Sequence, residues 1–366
     1  MNLEKISELQ HYLKANAIQV AYITNPASIA YFSGFESEPH ERILALFIAA
    51  DQEPFLFTPA LDSEPAKNSS WQYDVVGYLD SEEPFQLIAN ELRARYGAIT
   101  NFGLEKGSLV VERYEKLHAL FPTTRFDENI TSVIERMQLK KTQQEIDVLI
   151  EAGNWADVAF EIGFAAVKEG VAEQEIVAEI EYQLKRKGVA QMSFDTLVLA
   201  GTNAANPHGN PGTLTVKPNE LVLFDLGVVW KGYCSDATRT IAYGEPTAFQ
   251  RKIYQIVLEA QLAAQAAVKP GITAGELDKI ARDVIEGYGY GRYFNHRLGH
   301  GLGMSVHEYP SLVAGNDLVI EEGMCFSLEP GIYIPGEVGV RIEDCVYVTS
   351  DSCKAFTTTP KELRIY

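Results

Sequence analysis

The chain has 366 residues and a mass of 40.6 kDa, enough for two domains at roughly 150 residues each. Hydrophobic residues make up 46% of it and charged residues 22%, which is ordinary for a globular protein. The formal net charge of -19 argues against nucleic acid or an anionic membrane as a partner, because both require a basic surface.

Cysteine spacing and hydropathy indicate the compartment. The four cysteines show neither a C-x-x-C pair nor the spacing of a disulfide framework. Residues 1–16 carry acidic side chains among their leucines and isoleucines, which is not typical of a signal peptide. The longest apolar run, at 43–50, is shorter than the about 20 residues that span a bilayer. We therefore predict a cytoplasmic protein.

Predicted helices and strands alternate over residues 1–130. A helix over about 3–16 precedes the strand IQVAYITN, and RILALFIAA and EPFLFTPA form two strands joined by a polar turn. WQYDVVGYL, the helix FQLIANELRARY, the strand ITNFGLEK and a helix over about 110–120 follow. This order predicts an α/β domain with a partly parallel sheet, and it contains no catalytic constellation. The run KKTQQE then opens a long helix, so we predict a second domain over residues 131–366.

The second domain contains a faint internal duplication. AAVKEGVAEQEI at 165–176 aligns with AAVKPGITAGEL at 266–277, and in both copies a glycine follows one helix and precedes another. The match continues as an ordered series of pairs: His208 with His307, Asp225 with Glu329, and Asp236 with Glu343. It predicts two halves, each a helix pair plus an antiparallel hairpin, around a pseudo-two-fold axis. Chance remains an alternative for the AAVK segment alone.

Two aspartates flank a predicted hairpin. Residues 221–229 form an apolar strand, GVVWKGYCSD turns, and ATRTIAY returns, which allows Asp225 and Asp236 to face each other. Like charges in that position destabilise a sheet, so a cation between them is expected. The alternative is that Asp225 caps a turn at Gly227 and Asp236 is a solvated loop residue.

Histidines and glycines alternate in HRLGHGLGMSVHE at 296–308. The glycines allow close backbone approach and argue for an extended, packed segment rather than a helix. A single histidine here would more often be structural. Three of them, His296, His300 and His307, favour a site.

Two turns follow in EPGIY and GVRIEDC. Glu329 precedes Pro330, so its strand must end there, and a Pro-Gly pair turns the chain again before Glu343. Arg341 lies two residues before Glu343 and should point to the same face. Its guanidinium suits a carboxylate ligand, and neutralisation of nearby acids is the alternative.

Five of these residues lie in or beside apolar stretches: Asp225, Asp236, His300, Glu329 and Glu343. Burying even a neutral polar group without a partner costs roughly 2–7 kcal/mol, and four converging carboxylates repel each other. The sequence therefore predicts a pair of divalent metal ions and metal-assisted hydrolysis. Four carboxylates and one imidazole suit Mn²⁺ better than a thiol-rich zinc site, with Co²⁺ and Zn²⁺ as alternatives.

The motifs DLG…YCSDATRT, HRLGHGLGMSVHEYP, EPGIYIP and GVRIED stand in the order of the creatinase/prolidase group of metallopeptidases, which the chain resembles over nearly its whole length. Within that group it is most similar to bacterial Xaa-Pro dipeptidases. The resemblance implies an α+β "pita-bread" catalytic domain, an accessory N-terminal domain that includes TNPASIAYFSGF, and a homodimer.

The resemblance also implies roles for individual residues. The five residues above would hold two metal ions, with Asp236 and Glu343 bridging them. His296 and Arg341 would bind the C-terminal end of a small peptide whose second residue is proline. A metal-bridged hydroxide would then attack the Xaa-Pro bond of the dipeptide.

Three residues are implied as catalytic. His307 would stabilise the developing oxyanion, and Glu329 would carry the proton to the proline nitrogen with assistance from His208.

Several alternatives remain open. An aminopeptidase P-like enzyme would cleave the same bond in longer peptides. A creatinase-like hydrolase would lack the metal ligands, and a non-catalytic peptide-binding module should have eroded ligands and basic patches. The loop at 36–43, with His40, Glu41 and Arg42, could reach into a neighbouring subunit's site, or it could be a charged surface loop.

Overall fold

The computed structural model describes residues 2–366, in two compact units over 2–137 and Gln138–Tyr366. Within the described residues, none of the helices combines the length and the apolar character needed to cross a membrane. The four cysteines, all within this range, are free thiols, and Cys325 and Cys345 are buried in an apolar cluster.

The N-terminal unit is built on a mixed sheet. Its strands run in the order β4-β3-β2-β1-β5-β6, with antiparallel pairs in the middle and parallel pairs towards both edges. The strands are β1 Val20–Ile23, β2 Ala45–Ala49, β3 Phe55–Pro59, β4 Asp74–Tyr78, β5 Asn101–Leu104 and β6 Arg125–Asn129. The helices are α1 Leu3–Ala15, α2 Pro26–Ser33, α3 Ala60–Lys67, α4 Pro84–Tyr96, α5 Val111–Leu120 and α6 Thr131–Leu139, the last of which runs past the boundary at 137.

Apolar runs explain the central strands of this sheet. Every residue of β1, β2 and β3 is buried, and the ring of Phe47 stacks on Tyr22 at 5.0 Å and on Phe55 at 4.9 Å. The predicted α/β unit with a partly parallel sheet is confirmed.

The C-terminal unit contains paired helices and a larger sheet. Its helices are α7 Gln143–Ala166, α8 Glu173–Arg186, α9 Ala248–Ala267 and α10 Ala274–Gly287. Its first strands are β7 Gln191–Met192, β8 Leu197–Ala200, β9 Glu220–Leu226, β10 Val228–Trp230, β11 Tyr233–Cys234 and β12 Ala237–Tyr243. The remaining strands are β13 Gly299–Gly301, β14 Glu308–Leu312, β15 Cys325–Leu328, β16 Gly331–Ile334, β17 Val338–Arg341, β18 Glu343–Val348 and β19 Cys353–Ala355.

Strand order and backbone bridges support the predicted duplication. The main sheet runs β14-β13-β15-β18-β12-β9-β8, so each half contributes neighbouring strands on one side of the central β12–β18 pair. The turn between α7 and α8 bridges Ala172 to Thr215, and the turn between α9 and α10 bridges Thr273 to Val319. The glycines at these turns, Gly170 and Gly271, both have positive φ. The helix–glycine–helix unit therefore occurs twice.

The hairpin prediction is wrong in one detail. The register pairs Asp225 with Thr238, so Asp236 is not directly opposite Asp225. The strand breaks at Gly227, where a Cβ would lie 1.8 Å from the Ser235 oxygen. Asp236 lies between β11 and β12, just before the paired part of the hairpin begins at Ala237.

Candidate functional site

One cavity of about 500 Å³ in the C-terminal unit gathers the residues singled out in the sequence. Its lining includes every predicted site residue: His208, Asp225, Asp236, His296, His300, His307, Glu329, Arg341 and Glu343. The residues come from both halves of the duplicated unit, and they converge where β9, β12, β15 and β18 lie side by side.

The centre of the cavity is a buried cluster of acids around one imidazole. Candidate ligand atoms of Asp236, His300 and Glu343 lie within 4.8 Å of one another. The Nε2 atom of His300 lies 3.3 Å from Glu329 Oε1 and 3.5 Å from Asp236 Oδ2. Its Nδ1 lies 3.1 Å from the Gly301 oxygen, which requires the proton on Nδ1 and directs Nε2 towards the acids.

Burial and mutual repulsion perturb these carboxyl groups. Burial, then the negative charges of Glu343 and Asp225, raises the pKa of Asp236 well above its usual value. Burial and the charges of Glu329 and Asp225 do the same for Glu343. Burial also acts on Glu329, but the hydrogen bond and charge of His300 outweigh it and lower the pKa of Glu329 to about 2.

Two carboxylate oxygens lack a protein partner. Among the described residues, Asp225 Oδ1 and Glu343 Oε1 are buried and accept no hydrogen bond. Unsatisfied buried oxygens are costly, and they are the donor atoms that hard divalent cations prefer. The residues present therefore fit a metal centre.

Arg341 bridges the acids to the other end of the cavity. Its guanidinium forms an ion pair with Asp225 Oδ2 and donates to Thr238 Oγ1 at 3.0 Å and to the Tyr333 hydroxyl at 2.8 Å. The Tyr333 hydroxyl in turn lies 3.1 Å from His296 Nε2. In this structure Arg341 neutralises a nearby acid, which was the alternative considered for it.

His307 and His208 lie at more open positions than His296 and His300. The rings of His300 and His307 meet edge to face with centroids 4.2 Å apart. Partial burial, then the charge of His300, lowers the pKa of His307 and favours its neutral form at neutral pH. His208 is exposed, in the loop after β8.

Glycines in the histidine segment permit its close packing. A Cβ on Gly299 would lie 1.9 Å from the Ser327 oxygen, and one on Gly301 would lie 2.3 Å from the Tyr309 oxygen. Residues 299–301 form a strand, which confirms the extended, packed conformation there, whereas the chain bends over residues 303–307. Because these two glycines have no side chains, the strand that carries His300 packs closely against β15.

Hydroxyl groups that the sequence analysis missed support the acids. Thr238 Oγ1 donates to Glu343 Oε2 at 2.7 Å, and Ser327 Oγ donates to Glu329 Oε1 at 3.2 Å. Thr238 lies two residues after Asp236, and Ser327 lies two residues before Glu329. The alternation of side chains along a strand could therefore have identified both.

The loop of the N-terminal unit is held by its own surroundings. Arg42 forms a two-pronged ion pair with Asp80 at 2.9 Å, and Arg113 donates to the carbonyl oxygens of Glu41 and Arg42. These contacts favour the interpretation as a charged surface loop.

Comparison with known proteins identifies the family. The sequence profile of metallopeptidase family M24 matches residues 147–350, and that of the creatinase/prolidase N-terminal domain matches residues 5–139. The chain is 56% identical to a Xaa-Pro dipeptidase of Lactobacillus delbrueckii subsp. lactis, over 100% of this chain and 99% of that protein.

Solved structures agree with these matches. A crystal structure of recombinant prolidase from Thermococcus sibiricus has a TM-score of 0.94 at 32% identity and covers 100% of both chains. An X-Pro aminopeptidase from Thermotoga maritima has a TM-score of 0.85 at 30% identity, covering 96% of this chain and 98% of that one. The resemblance inferred from the motifs is confirmed: the chain belongs to metallopeptidase family M24 and carries a creatinase/prolidase N-terminal domain.

Proposed function

We propose that this protein is a metal-dependent Xaa-Pro dipeptidase. The observation that carries the proposal is the cavity in which four acids, a buried imidazole and a buried guanidinium converge. The acids supply a place for cations, and the guanidinium suits the free carboxylate that distinguishes a dipeptide from a longer peptide.

Two divalent ions are the expected cofactor. We propose that Asp225, Asp236, His300, Glu329 and Glu343 would hold them. Bound divalent ions supply Lewis acidity and lower the pKa of a coordinated water towards about 7. The oxygen-rich ligand set favours Mn²⁺, with Co²⁺ and Zn²⁺ as alternatives.

Glu329 is the candidate proton carrier. Its lowered pKa keeps it ionised at neutral pH, which is the form that holds a metal ion. Its proton-carrying role is proposed from its position in the cavity, with Oε1 3.3 Å from His300 Nε2. The proline nitrogen lacks an N–H and must be protonated as it leaves, and Glu329 is proposed to donate that proton with help from His208. Ser327 holds Glu329 Oε1 and so limits its rotation.

His307 and the Arg341 end of the cavity are proposed to bind the substrate. A neutral His307 can donate a hydrogen bond to the oxygen of the scissile carbonyl. Arg341 uses three of its five N–H groups within the described residues, which leaves two for the C-terminal carboxylate of the substrate. His296, fixed by Tyr333, would contact the same carboxylate.

The resemblance supports a homodimer, whereas the proposed compartment rests on the cysteine spacing and hydropathy of the sequence. We propose a cytoplasmic homodimer that acts on small peptides and binds neither nucleic acid nor membrane, in keeping with the net charge of -19. Sedimentation analysis at several protein concentrations tests the dimer.

A hydrolysis panel tests the reaction. Metal-stripped protein should be inactive, and added Mn²⁺ should restore cleavage of Xaa-Pro but not of Xaa-Pro-Yaa-Zaa. A preference for the longer peptides would instead establish an aminopeptidase P-like enzyme. Failure to cleave any peptide after metal is restored, with peptide binding retained, would support the binding module. The Asp225→Ala variant removes one of the proposed ligands. Full turnover in this variant would refute the site.

A further inference from the structure

The loop that carries His208 is closed at its base by a buried carboxylate. Residues 207–210 of this loop line the cavity, and the loop runs from the end of β8 to about residue 212. Glu173, the first residue of α8, is fully buried beneath it. Glu173 lies outside the group of residues that line the cavity.

The Glu173 carboxylate holds both ends of the loop. Oε1 accepts the backbone N–H of Ala200 at 2.7 Å, and Oε2 accepts that of Gly212 at 3.0 Å. The side-chain amide of Asn203 donates to both oxygens at 3.0 Å. These four hydrogen bonds to one side chain tie the two ends of the loop together.

Hydrogen bonds continue from this base towards His208. The Asn203 side-chain oxygen accepts from the Asn206 amide at 3.1 Å, and the Asn206 carbonyl accepts the N–H of Gly209 at 2.9 Å. Gly209 follows His208 directly, so the position of this histidine is connected to Glu173 through two asparagines.

The duplicated half shows that the turn itself does not need this acid. In the first half, the N–H groups of residues 173 and 174 bond to the carbonyls of residues 214 and 212. In the second half, those of Ala274 and Gly275 bond in the same way to residues 318 and 316. The residue that corresponds to Glu173 there is Ala274, so the same backbone bridge forms without a carboxylate.

We propose that Glu173 is a positioning residue that fixes the 201–212 loop and thereby holds His208 in the cavity. The kinetic part of this inference rests on the proposed dipeptidase function, whereas the closure of the loop does not. Glu173→Gln replaces one acceptor oxygen with an NH2 group, which then faces the N–H donors of the loop. Glu173→Ala installs the residue of the second half.

Hydrogen exchange tests the loop directly. In Glu173→Gln, the amides of Ala200 and Gly212 should exchange about 10-fold faster, which corresponds to about 1.4 kcal/mol. Asn203→Ala removes the side-chain bonds of Asn203 to Glu173 and to Asn206 but leaves the bonds of Glu173 to the N–H groups of Ala200 and Gly212. It should therefore speed exchange near Gly209 and leave Gly212 protected. Unchanged exchange in all of these variants would overturn the proposal, whatever the enzyme activity.

A double-mutant cycle tests the link to His208. We expect His208→Ala to lower kcat about 100-fold and Glu173→Gln to lower it about 10-fold. If Glu173 acts through His208, the double variant should be no slower than His208→Ala alone. The Mn²⁺ dissociation constant of Glu173→Gln should stay within about twofold of the wild type, because the proposed ligands lie on other elements. If the two losses of kcat multiply in the double variant, or if Glu173→Gln binds Mn²⁺ more weakly, Glu173 has a general structural role and the assignment is refuted.

A matched control distinguishes this role from the loss of any carboxylate. Asp157 likewise accepts the backbone N–H groups of Thr358 and Thr359, each at 2.8 Å. Asp157→Asn should leave both the exchange of the 201–212 loop and kcat unchanged. If the wild-type protein cleaves no Xaa-Pro dipeptide, the proposed function fails, and the exchange measurements still decide whether Glu173 closes the loop.

Discussion

A buried ion pair between Lys141 and Glu308 should support the segment that ends at His307. Lys141 Nζ lies 2.9 Å from Glu308 Oε2, with side-chain exposures of 3% and 9%. The other oxygen, Oε1, accepts the N–H of Ser305 at 2.9 Å and so fixes the turn before His307. Burial alone would lower the pKa of Lys141, but the charge of Glu308 outweighs it and keeps the ammonium ionised.

Lys141→Met removes the charge while keeping much of the volume. Glu308 would then keep its contact with Ser305 but lose its ion-pair partner among the described residues. Breaking a buried ion pair from one side typically costs about 3–5 kcal/mol. For a unit of this size each kcal/mol lowers Tm by about 2–4 °C, so we expect a loss of about 6–20 °C.

Thermal and urea denaturation of metal-stripped protein measure this cost. Lys140 provides the matched control, since its ion pair with Glu321 is about half exposed at both ends and should contribute no more than about 1 kcal/mol. The double variant Lys141→Met/Glu308→Gln should recover part of the loss, because no charge is left unpaired. If Lys141→Met is no less stable than Lys140→Met, the reasoning from burial is wrong.

Three further predictions concern the acids and the N-terminal loop. Glu343→Ala should weaken Mn²⁺ binding in calorimetric titration by more than Thr238→Val, which removes the hydrogen bonds of Thr238 with Glu343 and Arg341 and should cost about 10–100-fold; equal affinities would contradict the assignment. In metal-stripped protein, the raised pKa values of Asp236 and Glu343 stabilise the fold below about pH 4, and this contribution is lost as the pH rises through the raised values. Urea unfolding at several pH values measures this contribution. If the prediction is wrong, the free energy of unfolding would rise with pH across this range instead of falling. Arg42→Ala should leave kcat/KM for Xaa-Pro peptides unchanged, whereas a fall would support a loop that reaches a neighbouring subunit's site.

The sequence predicted the longer elements of the N-terminal unit but missed shorter ones. α2 is eight residues with six of them buried, so it shows no helical periodicity, although Asn25 and Pro26 form a recognisable start. α3 contains Pro65 and therefore contradicts helix propensity. β6 reads RFDEN and lies at the edge of the sheet, where polar side chains reach solvent. In all three cases, tertiary packing determined the secondary structure that forms.

At the site, composition and order predicted which residues meet but not how they meet. Acids within apolar stretches indicated Asp225 and Glu343 because their burial requires compensation. The register of the hairpin could not be predicted, since it depends on the close approach at Gly227. The contact of Arg341 with Asp225 joins residues 116 positions apart, beyond the reach of any local pattern.

The position of the acids at the seam between the two halves explains how their repulsion is contained. β12 and β18 are antiparallel neighbours, with Thr238 opposite Glu343. On these strands the next residues, Arg239 and Asp344, form an ion pair with side-chain exposures of 2% and 1%. Arg239 also donates to the carbonyl oxygens of Thr238 and Glu343, so it ties together the two peptides that present the site. Because this tie spans both halves, it holds together the two strands that carry the acids, and a divalent ion bound between the acids would stabilise the folded state further.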